Sequence, residues 1–392
     1  MGNFDFDTVV DRIGTGSRKW DARQEVFGRE DLLPMWIADM DFCSPPAVVE
    51  AVKHRAAHCL YGYPARLESY YSAFTGWTDR RYGWQVDPSW LLTTPGVVPA
   101  INAAILAFTE PGDGVLIQPP VYPPFFSCPR LNGRIVMENP LQENSDGTWR
   151  IDFDDLKRKL ELRPKLFVLC NPHNPVGRVW SRGELQKMAE LCLENEVLMF
   201  SDEIHGDLLL GNRRHTPLAS IGPEVAARTI TCTAPSKTFN IAGLYTSMVV
   251  VSSPSLRARM EHMLDALDIC GGNVFGIVAF EAAYNHGEEW LKALLPYLED
   301  NAMFMQDFLD KKIPQLRMAM PESTFLAWLD CRALGLSQPE LKEFFVTKAR
   351  VGLNDGRTFG DQGEGFMRLN FGCSRKTLTE GLERIEQAAR RI

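Results

Sequence analysis

Leu166-Phe167-Val168-Leu169-Cys170-Asn171-Pro172-His173-Asn174-Pro175-Val176-Gly177 opens the stretch that decides the fold, and Val197-Leu198-Met199-Phe200-Ser201-Asp202-Glu203-Ile204-His205 closes it. Each begins with an unbroken apolar run, the pattern of a strand covered on both faces. Between them Ser181 and Glu184 form a capping box, and Leu185, Met188, Ala189 and Cys192 recur at helical spacing. Strand, helix, strand is the unit of a parallel sheet. Such sheets bind ligands beyond the carboxyl ends of their strands, so chemistry is sought just after each run.

Working outward, similar runs at 90–94, 115–118, 229–233 and 247–251 predict further strands, and 90–251 reads as α/β with a mostly parallel central sheet. The chain then changes character. A helical pattern from Asn285 to about residue 312 precedes a strand-like run at 325–329, a helix over 339–348 and a final helix over 376–392. This predicts a second, smaller α+β domain. Residues 1–45 have no strong period and contain Pro34 and Pro45. The expected division is a segment 1–45 joining the small domain, a large domain 46–284 and a small domain 285–392.

At 392 residues the chain exceeds one domain of roughly 150 residues. Its 45% hydrophobic and 23% charged residues exclude disorder, collagen and coiled coil. The formal charge is -8 and no long basic run occurs, so a nucleic-acid footprint is missing. Nine scattered cysteines with no C-x-x-C pair fit a reducing cytoplasm and suggest no metal site. No apolar stretch approaches the roughly 18 residues of a membrane span, and the acidic N-terminus is unlike a signal peptide.

Three stretches after the predicted strands bear chemistry. Asn171 to Gly177, with two Asn-Pro pairs, is by itself a rigid turn. Asp202 and Glu203 follow the next strand, where Asp202 alone could cap a helix. Ala234-Pro235-Ser236-Lys237-Thr238-Phe239-Asn240 follows the strand at 229–233, its Lys between Pro and Phe in a setting that favours the neutral amine. A fourth piece, Thr94-Pro95-Gly96-Val97-Val98-Pro99-Ala100, joins a strand to a helix whose positive end favours a phosphate. A Lys for a Schiff base, a carboxylate for a pyridinium nitrogen and a phosphate cradle at one sheet edge together point to pyridoxal phosphate chemistry.

These motifs, in this order, resemble the fold-type I pyridoxal phosphate enzymes. The stretches Trp36-Ile37-Ala38-Asp39-Met40-Asp41-Phe42 and Gly365-Phe366-Met367-Arg368-Leu369-Asn370 resemble, within them, the PatB/MalY group of cystathionine β-lyases and related C–S lyases. The similarity runs nearly end to end. It implies that Lys237 holds the cofactor, Asp202 keeps its ring nitrogen protonated, and Asn174 bonds its phenolic oxygen with His205 nearby. It implies that Tyr122 stacks on the ring, and that Gly96, Val97, Val98 and Ser236 cradle the phosphate. Tyr63 would reach that phosphate from the neighbouring subunit of a homodimer with shared sites. Arg368 would bind the substrate's α-carboxylate, with Ala38 beside it; a Lys could not imitate that planar fork. Many aminotransferases carry an Arg eight residues after the Schiff-base Lys, where Tyr245 stands here.

The resemblance implies β-elimination of L-cystathionine or a related L-cysteine S-conjugate to pyruvate, ammonia and a thiol, with Lys237 as base and Lys237 or Tyr122 protonating the sulfur. The alternatives are an aminotransferase of an amino acid and a regulatory protein that retains the fold. Other features read as structural. His54 and His58 share a helix face, but Arg55 follows His54 where a metalloprotease needs Glu, so no metal is expected. Trp77 and Trp84 read as packing, and Asp39 and Asp41 as structural residues near the site entrance.

Overall fold

In a computed structural model describing residues 4–391, a seven-stranded sheet places the ends of the chemistry-bearing stretches side by side. Met1 to Asn3 and Ile392, the last residue of the expected final helix, lie outside the described residues. The strands are β1 (Leu91–Thr94), β2 (Gly114–Ile117), β3 (Ile135–Glu138), β4 (Leu166–Cys170), β5 (Leu198–Asp202), β6 (Thr229–Thr233) and β7 (Ser247–Val250). Their order is β1-β7-β6-β5-β4-β2-β3. Strands β2 to β6 pair in parallel, whereas β7 is antiparallel to both its neighbours. The start of β7 therefore lies at the edge where the other six strands end.

Burial explains the sheet. Every residue of β4 and β5 is buried, and successive side chains face opposite layers. Val168 and Phe200 pack in a layer with α1 (Val97–Phe108), while Phe167, Leu169 and Met199 pack in a layer with α2 (Arg182–Glu194). The capping box at the start of α2 forms, with Ser181 Oγ accepting from Glu184 N–H at 3.2 Å and Glu184 Oε2 accepting from Ser181 N–H at 2.8 Å.

A second, antiparallel sheet has the order β8-β9-β11-β10, from β8 (Arg317–Met318), β9 (Leu326–Asp330), β10 (Asn354–Asp355) and β11 (Phe366–Asn370). Helices α4 (Glu288–Lys312) and α5 (Arg375–Ala389) pack on one another in this half of the chain, whereas α3 (Val274–His286) packs on the helices Pro46–Ala57 and Glu68–Tyr82 of the first half. The N-terminal segment ties the two halves together. Leu33–Pro34 pairs in parallel with Val351–Gly352, and Met35 O accepts from Asn370 N–H at 2.9 Å. Further along, Met40 N–H donates to Asn240 Oδ1 at 2.9 Å, beside the Lys237 turn.

Several expected elements differ. Trp90 ends a 3-10 turn ahead of β1. Strand β3 is an edge strand with exposed Ile135, so it lacks the buried run that reveals its neighbours. The helical stretch read from Asn285 is two helices parted at Gly287, where a Cβ would meet Phe239 Cε1 at 2.4 Å. The helix expected over 339–348 is α-helical over Gln338–Glu343 and π-helical over Phe344–Ala349. Trp77 and Trp84 are buried, and Trp77 Nε1 donates to Asp207 Oδ1 at 3.1 Å.

Candidate active site

The register sets the site. Cys170 on β4 lies opposite Asp202 on β5, and Asp202 opposite Cys232 on β6. Asn171 to Asn174, Asp202 and the turn carrying Lys237 thus emerge from adjacent strand ends. Thr94 at the end of β1 lies opposite Ser247 at the start of β7, their hydroxyls 2.6 Å apart, which brings Gly96 and the start of α1 to the same edge.

These groups line one cavity of about 470 Å³, within the roughly 300–1,000 Å³ range of small-molecule sites. Lys237, Asp202, His205, Asn174 and Tyr122 are on its walls, as are Gly96, Val97, Val98 and Ser236 at its α1 end. Ala38 and Arg368 reach it from the N-terminal segment and the second sheet. Tyr63 does not line it: that side chain is fully exposed on its own chain. A second concavity of about 440 Å³ against β9 contains none of these groups.

Each group sits in a defined electrostatic setting. Lys237 Nζ donates to Ala38 O at 2.6 Å, and burial lowers its amine to about 8 against opposing pulls from Asp39 and Asp202. Asp202 Oδ1 accepts from Ile204 N–H at 3.1 Å, a local turn contact. Burial raises its carboxyl to about 7. The adjacent Glu203 is already satisfied, accepting from Ser201 Oγ at 2.7 Å and Leu218 N–H at 2.9 Å and meeting His215 Nε2 at 2.9 Å. Burial lowers His205 to about 3, leaving a neutral imidazole, and raises Tyr122, leaving a protonated phenol.

Arg368 occupies the centre of the second sheet on β11, opposite Trp328 on one side and Asn354 on the other. Its guanidinium donates to Asn174 Oδ1 at 3.0 Å, Trp36 O at 3.0 Å and Asn354 Oδ1 at 2.6 Å, and lies 4.9 Å from the Phe359 ring centre. Sequence reasoning missed Trp36, Asn354 and Phe359, which meet Arg368 only through tertiary contacts. Asp39 and Asp41 are bound by Arg12 at 2.6 Å each, and Lys19 Nζ holds Asp41 at 2.7 Å, so neither carboxylate is free.

The residues fit pyridoxal phosphate. Among the described residues no side chain caps the first turn of α1, whose amides at Val97 and Val98 suit an anion. Lys237 supplies an amine that burial partly neutralises, and Asp202 a buried carboxylate beside it. Among the described residues the buried atoms His205 Nδ1 and Arg368 Nε have no hydrogen-bond partner, as expected of groups that await a ligand.

Residues 31–385 match the model of the family Aminotransferase class I and II. The chain is 47% identical over 384 residues to "Cystathionine beta-lyase PatB" of Bacillus subtilis (strain 168), covering 98% of this chain and 99% of that protein. It superposes with a TM-score of 0.97 on a PLP-bound protein of Clostridium difficile 630, provisionally described as an aminotransferase (43% identity; 99% and 100% covered). With cystalysin from Treponema denticola, which contains pyridoxal 5'-phosphate, the TM-score is 0.96 (36% identity; 99% of each chain covered).

Proposed function

Because the chain belongs to the class I and II aminotransferase family, with the fold-type I architecture of its pyridoxal phosphate enzymes, we propose that it is a C–S β-lyase. Its substrate would be L-cystathionine or a related L-cysteine S-conjugate, and its products a thiol, pyruvate and ammonia. The observation that carries this reading is the convergence of Lys237, Asp202 and Arg368 on one cavity in a chain 47% identical to a cystathionine β-lyase.

The amides of Val97 and Val98 with the Ser236 hydroxyl would hold the phosphate, and Lys237 the aldehyde carbon. When bound, pyridoxal phosphate supplies a ring that accepts the electron pair released at the substrate's Cα. Asp202 would hold a proton at the ring nitrogen, and Asn174 would bond the phenolic oxygen with neutral His205 beside it. Arg368 binds the α-carboxylate next to Ala38 and fixes which Cα bond faces Lys237. The Lys237 amine would take the Cα proton as the base. Tyr122, kept protonated by burial, gives its proton to the departing sulfur.

We extend the proposal to the assembly and organisation. Exposed Leu60, Tyr61, Tyr63 and Leu67 form an apolar run that a second copy would cover, with Tyr63 of the partner subunit completing the phosphate site. The division into a segment 1–45, a large domain 46–284 and a small domain 285–392 follows the two sheets, and a cytoplasmic location suits nine unpaired cysteines.

Incubation of the pyridoxal phosphate-loaded protein with cystathionine and S-alkyl cysteines tests the activity. Pyruvate and thiol in equal amounts are expected, abolished in Lys237→Ala. A 2-oxo acid retaining the sulfur, with pyridoxamine phosphate left behind, would make the protein an aminotransferase instead.

A further inference from the structure

Four formal charges line the active cavity: Asp202, Lys237, Arg368 and Arg18. The proposed reaction employs the first three, and Arg18 is left over. Arg368 is 4% exposed and lies deep, whereas Arg18 is exposed and therefore stands at the mouth. Among the described residues Arg18 has no ion-pair partner. The carboxylates its neighbour Lys19 reaches, Asp39 and Asp41, are already engaged by Arg12 and Lys19.

The backbone beneath Arg18 is firmly held. Lys19 is 1% exposed and donates to Asp41 at 2.7 Å, and its carbonyl accepts from Trp36 Nε1 at 3.1 Å. The Asp21 carboxylate accepts from Gly14 N–H and Gly16 N–H at 2.8 Å each. Arg18, with no ion-pair partner among the described residues, thus lines the cavity from a fixed base.

We propose that Arg18 reads the far end of the substrate, binding a carboxylate on the thiol fragment beyond the sulfur. A cysteine thioether with two carboxylates, such as the cystathionine already proposed, is then held at both ends, one carboxylate by Arg368 and the other by Arg18. This rests on the C–S lyase reading and assigns it a specificity-determining residue. At a solvent-exposed rim such a pair gives discrimination of about two- to fivefold, and salt weakens it.

Calorimetric titration of the pyridoxal phosphate-loaded protein with suberate, and with octanoate as the one-carboxylate control of equal length, tests the proposal. Wild type should bind suberate about two- to fivefold tighter than octanoate at low salt. Arg18→Gln should bring the two affinities together, and Arg18→Lys should keep part of the difference. Equal affinities in wild type, or an undiminished preference in Arg18→Gln, would overturn the proposal. Neither probe carries an amine, so the result does not depend on turnover. A suberate preference in a protein that releases no pyruvate from any thioether would overturn the lyase reading alone.

Discussion

At the scale of single residues, burial sets the chemistry, and Asp202 shows how. In the cofactor-free chain its carboxyl titrates at about 7 against an ordinary 3.8. Below about pH 4 both folded and unfolded chains hold the proton. Between there and pH 7 the unfolded chain releases it while the folded chain keeps it, so this contribution to stability falls as pH rises and is lost above the folded value. Asp202→Asn never ionises and escapes the loss. In urea unfolding of the cofactor-free proteins, the stability of Asp202→Asn relative to wild type should grow by about 2 to 3 kcal/mol from pH 5 to pH 8. A constant difference would mean that water or Lys237 solvates the charged carboxylate fully. A second expectation concerns Tyr122, which burial keeps as the phenol, with a proton available in the cavity. Tyr122→Phe should slow release of alkyl thiols by about 100-fold or more, and release of acidic aromatic thiols far less, because an acid matters most for a poor leaving group. Equal slowing for both would assign sulfur protonation elsewhere.

At the scale of elements, the turn that carries Lys237 is locked to the N-terminal segment through one side chain. Asn240 has φ +57° and uses its amide three times, with Met40 N–H at 2.9 Å, Met40 O at 2.9 Å and Phe42 O at 2.8 Å. Asn240→Ala should lower stability by about 4 to 5 kcal/mol, from three hydrogen bonds at about 1 kcal/mol each and about 1 to 2 for the left-handed backbone. Asn240→Gly tolerates the backbone and loses only the bonds, so it should fall between Ala and wild type. Urea midpoints of the three proteins measure this; Asn240→Gly matching wild type would show that the amide does not hold the segment. Such ties mark where sequence legibility ends. Strands β4 and β5 announce themselves because both faces are buried and the run is unbroken. Edge strand β3, with Ile135 in solvent, leaves no such trace. Lys237 is legible from its place after a strand and Asp202 from its place at a strand's carboxyl end, where the structure makes it the last residue of β5, but Arg368 was assigned through family resemblance. Trp36 and Asn354 hold its guanidinium across 332 and 14 residues of chain, a pairing that no local period encodes.

At the scale of the whole molecule, Tyr63 decides how many chains make a site. Its side chain is fully exposed on its own chain, outside the cavity that holds Lys237, and Leu60, Tyr61 and Leu67 beside it are also exposed. If Tyr63 of the partner subunit completes each phosphate site, two-fold symmetry makes both sites composite. Tyr63→Ala and Lys237→Ala homodimers should then each be poor catalysts, the first by weak cofactor retention and the second by loss of the base. In a hybrid dimer one site collects both defects and the other neither. Denaturing an equimolar mixture and refolding it makes half the dimers hybrid, each with one intact site of two, so activity should recover to about a quarter of wild type. Size-exclusion chromatography with differently tagged subunits confirms the exchange. If Tyr63 instead served its own chain, each hybrid would hold one site lacking Tyr63 and one lacking Lys237, and activity would stay at the mean of the two parents.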